Sequence, residues 1–278
     1  MTGPHAFTRT FEVRELATAC DLLARLTGLS KGRIKDCMSK GGVWLFRPGR
    51  SASRLRRATA AVNPGERLEI GYDPDLLAIV PEAPELIFRH ARYSVWNKPA
   101  GVLSQGTRFA DHCAMIRLCR GELGVRAEMH PVHRLDREAR GLMLLAHDKA
   151  ATARLSELFR RGKVRKEYMA VVRGTPDWTE LTVAGPLDGK ESRSLFRVVA
   201  READTALVAA RIETGRKHQI RRHLAGLGLP ILGDPRYGRG NAWPAGLQLV
   251  AVSLSLTCPF TNAVRSWNLP GPPFPPVA

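Results

Sequence analysis

The sequence has little that could hold a metal or a disulfide. Its five cysteines, Cys20, Cys37, Cys113, Cys119 and Cys258, are odd in number and include no C-x-x-C pair. Neither a disulfide framework nor a cysteine zinc site is expected from them. Cys20 and Cys37 sit among apolar neighbours and read as small core residues. No apolar run approaches the roughly 18 residues of a spanning helix. The opening Met1-Thr2-Gly3-Pro4-His5-Ala6 shows no basic-then-apolar signal pattern, and a cytoplasmic location is the expectation. No internal repeat is evident. Acidic residues are also short: 26 Asp and Glu stand against 43 Lys and Arg, a formal charge of +17. That excess favours a polyanionic partner, nucleic acid ahead of a membrane surface.

What is present is ordinary globular material, 278 residues with 44% hydrophobic and 25% charged, enough for one or two domains. Residues 1–10 lack periodicity and read as a flexible arm. From Asp21 the pattern is helical, with Leu22, Leu23 and Leu26 on one face and Gly28 closing the run. Ser30 is an N-cap for a second helix whose stripe is Ile34, Cys37 and Met38. Lys31, Arg33 and Lys35 lie on or near its other side, and a loop with Arg47, Arg50, Arg54, Arg56 and Arg57 follows a short strand, 43–45. Cations clustered on one helix and the next loop suit phosphate contact, although a charge run alone is usually a solvated face. After a strand at 66–72, residues 73–85 carry Pro74, Pro81 and Pro84 and read as a linker. In the larger body, strands are expected in 86–96, 143–146, 166–172, 205–212 and 247–254. Asp148 caps a helix over 149–161, and 218–225 is a short helix. The proline-rich end, 263–278, reads as a tail.

Chemistry concentrates at His133-Arg134-Leu135-Asp136, ahead of the apolar Gly141-Leu142-Met143-Leu144-Leu145. A carboxylate between cations at the mouth of a buried strand can stay ionised and poorly solvated, which suits a nucleophile or general base. The bland alternative is a structural salt bridge. A second basic segment, Gly215-Arg216-Lys217-His218-Gln219-Ile220-Arg221, shifts the balance toward a site. His130-x-x-His133 has a metal-like spacing, but Pro131 and the lack of a third ligand argue against a metal.

Five ordered blocks between residues 86 and 256 resemble the RluA-type RNA pseudouridine synthases. They are N-K-P-A-G-V-L (97–103), H-R-L-D-x-x-x-x-G-L-x-L-L-A (133–146), K-E-Y-M-A-V-V-R-G (166–174), G-R-K-H-Q-I-R-R-H-L (215–224) and P-I-L-G-D-P-R-Y-G (230–238). L-S-K-G-R-I-K (29–35) and V-N-P-G-E-R-L-E-I (62–70) resemble the small alpha-L RNA-binding domain of a ribosomal protein, with Val43-Trp44-Leu45-Phe46-Arg47 departing from its usual strand. The resemblance implies an isomerase that turns uridine in RNA into pseudouridine without a cofactor. It places Asp136 on the catalytic aspartate, Tyr168 on the tyrosine that packs on the base, and Arg221 on the basic residue facing the carboxylate. It sets Arg134 to enter the stack that the flipped base leaves. His133, Arg216, His218 and Gln219, with Lys31, Arg33 and Lys35, are the expected RNA contacts, His218 also reading as a hydrogen-bonded structural residue and Gln219 as a possible loop support. Ala139-Arg140 replaces the family's usual Thr-Ser, which bears on substrate preference.

The expected fold is α+β: a catalytic domain, 86–262, with a mixed, largely antiparallel central sheet flanked by helices, plus a small N-terminal α/β RNA-binding domain, 11–72. Large-subunit ribosomal RNA is the first substrate expectation and transfer RNA the second, with the protein a monomer that needs neither membrane, metal nor cofactor. The rival reading is a non-catalytic RNA-binding or ribosome assembly factor of the same fold. A DNA-binding regulator lacks a recognition helix here.

Overall fold

The computed structural model describes residues 5–123, 128–271 and 274. They divide into two compact units, one running to residue 82 and including 105–122, the other comprising 83–104 and 123 onward. Among the described residues no helix is long and apolar enough to cross a membrane.

The first unit contains β1 (Phe7–Glu12), β2 (Ala17–Thr18), α1 (Ala19–Thr27), α2 (Lys31–Ser39), β3 (Val43–Phe46), β4 (Ser53–Arg54), β5 (Ala61–Val62), β6 (Arg67–Tyr72) and α3 (Pro74–Ala78). Its main sheet has the order β1-β6-β3-β4, and β2 pairs with β5. Ser30 caps α2 through the Arg33 N–H, and Ile34, Cys37 and Met38 are buried as their spacing anticipates. Leu26, expected on the inner face of α1, is instead exposed.

Two expectations fail here for local reasons. Residues 7–10, expected in a loose arm, are part of β1 instead: β1 pairs along its length with β6, and Phe7 stacks on Tyr72 at 5.6 Å. As an edge strand with exposed residues between Phe7 and Phe11, it carries only a diluted alternation. Residues 1–4 lie outside the described residues. Nor is 73–85 wholly a linker. Asp73 accepts from the Leu76 N–H at 3.0 Å, Pro74 takes the first helical position, and Leu76 and Leu77 are buried. A cap followed by proline starts a helix rather than ending structure.

The second unit opens with β7 (Glu85–Arg89) and β8 (Tyr93–Lys98). The chain then returns to the first unit, where α4 (Met115–Leu123) begins, so the expected 86–262 body is not one continuous block. Electrostatics fixes that excursion: Asp111 binds Arg54 at 3.2 Å and Arg117 at 2.9 Å, together with Arg56. Its backbone N–H donates to Lys40, and the Trp44 indole donates to the carbonyl of Arg108.

The remaining elements are β9 (His130–Pro131), β10 (Arg140–Ala146), α5 (Lys149–Arg160), β11 (Val164–Arg173), β12 (Glu180–Leu187), β13 (Lys190–Arg201), β14 (Thr205–Ile212), α6 (Gln219–Gly226), β15 (Leu249–Thr257) and β16 (Val264–Asn268). They form a ten-stranded sheet with β7 and β8, in the order β12-β13-β14-β11-β15-β10-β8-β7, with β16 beside β15 and β9 beside β10. The fold is α+β with a largely antiparallel sheet, as expected. β16 overturns part of the tail reading, because Trp267 faces Leu254 and is buried. Of the proline-rich end, 272, 273 and 275–278 lie outside the described residues.

Asp148 caps α5 through the Ala151 N–H at 2.8 Å. Ala151 and Leu155 then pack against Leu142, Leu144, Val95 and Leu254, with Leu158 and Phe159 at the margin. Each leucine of this cluster contributes about 2 kcal/mol by leaving water.

One pairing departs from the antiparallel rule. β10 runs parallel to β15 through Arg140–Val250 and Gly141–Ala251. Gly141 has φ 116°, and a Cβ there would lie 2.3 Å from the Ala251 carbonyl oxygen. Only glycine permits this approach. Gly141→Ala is expected to lower stability by about 3 kcal/mol or more, read as a shift in the urea midpoint. An unshifted midpoint would rule out the close contact.

Candidate active site

All elements of the site belong to the second unit. Asp136 lies in the loop between β9 and β10, and the backbone on either side of it is tied down. The Ser104 hydroxyl accepts from the Leu135 N–H at 2.9 Å and donates to the Leu135 carbonyl at 2.7 Å. On the other side, the carbonyl of Arg137 accepts from the Gly101 N–H at 2.8 Å and from Lys98 Nζ at 3.2 Å. Lys98 is fully buried and also donates to the carbonyls of Pro99 and Val102. Burial pushes its pKa down to about 7 against the attraction of Glu138 and Asp136. Three carbonyl acceptors match the three protons of an ammonium, so we assign Lys98 as charged in the folded protein.

Arg221 reaches the Asp136 loop from the first turn of α6. Its Nη1 lies 3.2 Å from Asp136 Oδ2 and 3.4 Å from Glu138 Oε2. Its Nε and Nη2 grip Asp234 in a two-point pair, 2.8 Å each, inside the protein. Asp234 Oδ1 also accepts from the backbone N–H groups of Arg236 and Tyr237. Burial pushes the Asp234 pKa up, but the Arg221 guanidinium and these N–H groups outweigh it and hold the carboxyl below the usual range. Burial also opposes the charge on Arg221, and Asp234 and Asp136 reverse that and raise its pKa. The two-point clamp fixes the fork, leaving Nη1 to present one donor to Asp136.

The two carboxylate oxygens of Asp136 are thereby made unequal. Oδ2 is engaged by Arg221, whereas among the described residues Oδ1 has only a 3.8 Å approach from His218 Nε2. His218 caps α6 with φ 54°, an uncommon value for a non-glycine residue, and its Nδ1 meets the Tyr237 hydroxyl at 3.0 Å. Burial lowers its pKa despite the pull of Asp136.

Asp136, Tyr168, Arg221, His218, Arg134 and Arg216 line one cleft of about 170 Å³. Tyr168 stands on β11 opposite an extra residue in β15, where the pairing passes from Glu167–Ser253 to Tyr168–Ala251. Burial, then the charge of Asp136, raises the phenol's pKa, so its hydroxyl keeps its proton.

The other expected contacts divide. His133 does not face the cleft: its ring stacks on Phe159 at 4.5 Å and its Nε2 accepts from the Leu144 N–H. Burial, then Lys166, pushes its pKa down to about 3. It is a neutral acceptor that holds the loop to β10. Gln219 is buried and fully used, donating to Ser194 and the Arg193 carbonyl and accepting from Thr214 and the Arg216 N–H. It supports the Gly215–His218 loop and leaves no polar atom for RNA. Lys31, Arg33 and Lys35 are exposed on α2 of the first unit, with Lys31 paired to Asp21 at 2.7 Å. Among the described residues no group of three His, Cys, Asp or Glu could hold a metal. Lys98, Glu138 and Asp234 were not singled out from sequence, although Lys98 and Asp234 stand inside the blocks at 97–103 and 230–238.

Comparison with known proteins gives the family. Residues 92–226 match the family described as RNA pseudouridylate synthase. An uncharacterized RNA pseudouridine synthase of Zymomonas mobilis is 36% identical over 173 residues, 56% of this chain and 79% of that protein. The dual-specificity RNA pseudouridine synthase RluA of Salmonella typhi is 34% identical over 212 residues, 68% of this chain and 95% of the relative. Among solved structures, human RNA pseudouridylate synthase domain containing 4 superposes with a TM-score of 0.55 at 26% identity, covering 68% of this chain and 88% of that one. The chain belongs to the RluA-type RNA pseudouridine synthases and is an isomerase acting on RNA.

Proposed function

We propose that Asp136 carries the isomerisation through Oδ1 on a uridine flipped out of a large-subunit ribosomal RNA. The single observation behind this reading is the asymmetry of the carboxylate of Asp136, a residue that lines the cleft: Arg221 holds Oδ2 at 3.2 Å, whereas Oδ1 has the 3.8 Å approach of His218 alone among the described residues. Attack on the sugar, attack on the base and removal of a sugar proton all require one such unengaged oxygen. The reaction breaks the bond from C1′ to N1, turns the uracil, joins C1′ to C5, and moves a proton from C5 to N1. The detached base must stay in place meanwhile, and the buried Tyr168 ring offers it a stacking surface. Arg134, exposed beside the cleft, fills the gap in the RNA stack. In the first unit, Lys31, Arg33 and Lys35 make sequence-independent phosphate contacts.

The combination of Asp136, Tyr168 and Arg221 on one cleft favours an enzyme over an assembly factor that merely keeps the fold. The relative described as dual-specificity supports keeping transfer RNA as a second substrate class for this chain. Mapping pseudouridines in total RNA from cells with and without the protein tests both points. Loss of one or a few modifications in large-subunit ribosomal RNA is the expected result. Loss confined to transfer RNA selects the second class, and an unchanged map removes the substrate assignment.

A further inference from the structure

Lys166 stands on β11, two residues before Tyr168, and lines the same cleft as Asp136. Residues 164, 166, 168 and 170 share one side of the strand, which places Lys166 about 6.5 Å along the chain from the base-stacking ring. That reach is comparable with the one from a nucleobase to a neighbouring phosphate. The side chain is half-buried, and its Nζ lies 5.6 Å from the centroid of Phe159.

Its surroundings differ from those of the other interior cations. Arg221 is met by three carboxylates and Lys98 by three carbonyls. Lys166 has no ion pair and no side-chain hydrogen bond among the described residues. Burial alone pushes its pKa down to about 8, with no carboxylate opposing the shift. A half-buried cation that lines a cleft and has no carboxylate or carbonyl against its ammonium among the described residues is free to receive an anion brought by the ligand. Arg134 and Lys217 on the same cleft are exposed, so solvent already screens them.

We propose that Lys166 is a phosphate subsite, its ammonium receiving the backbone phosphodiester adjacent to the flipped uridine. The subsite rests on the base-flipping reading above and assigns the neighbouring linkage of the same RNA. It fixes the nucleotide by its backbone while Tyr168 holds the base, so the sugar stays over Asp136 when the base is detached.

The test is a binding cycle on the full-length protein, using a stem-loop RNA with the mapped target uridine. Single methylphosphonate linkages, which remove one charge each, are placed in turn around that uridine. At one adjacent linkage the wild-type protein is expected to lose about tenfold in affinity, the order of one charge-assisted contact. Lys166→Met should lose about as much on the natural RNA and nothing further at that linkage, and Lys166→Arg should restore both values. Losses that add for Lys166→Met at every linkage overturn the subsite, and so does unchanged affinity of a folded Lys166→Met. Turnover of the wild type on the same RNA checks the catalytic reading separately: an active wild type with additive losses in the variant leaves the reaction standing and removes only the phosphate contact.

Discussion

Asp136→Asn is expected to abolish pseudouridine formation, with turnover falling by at least about a thousandfold, while RNA affinity changes by no more than about threefold. Asparagine keeps the shape of the residue and can still accept from Arg221, so the loop and cleft are preserved. What it loses is the negative charge and the second oxygen, and among the described residues no other carboxylate lines the cleft. Glu138 shares Arg221 Nη1 at 3.4 Å, whereas Asp234 is sealed inside. Single-turnover assays on the mapped RNA, paired with a filter-binding isotherm, give both quantities. Turnover equal to wild type would remove the catalytic assignment of residue 136.

The second large effect is expected one residue back from the cleft carboxylate, at Asp234. Asp234→Ala leaves Arg221 Nε and Nη2 without their two acceptors and strips the N–H groups of Arg236 and Tyr237 of theirs. Removing one member of a buried pair costs about 3–5 kcal/mol, because the remaining charge stays out of water. Denaturant unfolding should show that loss, and activity should fall with it as Nη1 drifts from Asp136. Asp234→Asn, retaining one acceptor, should lie between. The pH dependence has a definite sign. Because the Asp234 pKa is lowered on folding, its contribution is present above the unfolded value near 3.8 and is lost as pH falls through the lower folded value. A destabilisation near zero in Asp234→Ala would show that the clamp does not form.

Local signals were legible in the sequence, and non-local ones were not. The Asp148 and Ser30 caps announced α5 and α2 because a cap and its helix lie within four residues. Asp136, Tyr168 and Arg221 were found through ordered blocks, and the cleft that unites them needs the whole sheet. The blocks could not separate roles within themselves. His133 and Gln219 read as RNA contacts because imidazole and amide suit that task, yet both spend their hydrogen bonds inside the protein. Asp234, between glycine and proline in a turn-like block, gave no hint that Arg221 would find it. The segments 7–10, 74–78 and 264–268, ordered where the sequence pattern suggests arm, linker and tail, share another cause. Each is short, half-exposed or flanked by proline, so its pairing partner rather than its own pattern decides its state.

The parallel seam between β10 and β15 also bears on biogenesis. It joins Gly141 to Ala251, about 110 residues apart in the chain, a separation that makes the contact late and slow to form. On a translating ribosome this part of the sheet therefore closes late in synthesis. The strand at 249–257 sits between β10 and β11, so the strand that follows Asp136 and the strand that carries Tyr168 are joined in one sheet only once that strand has left the exit tunnel.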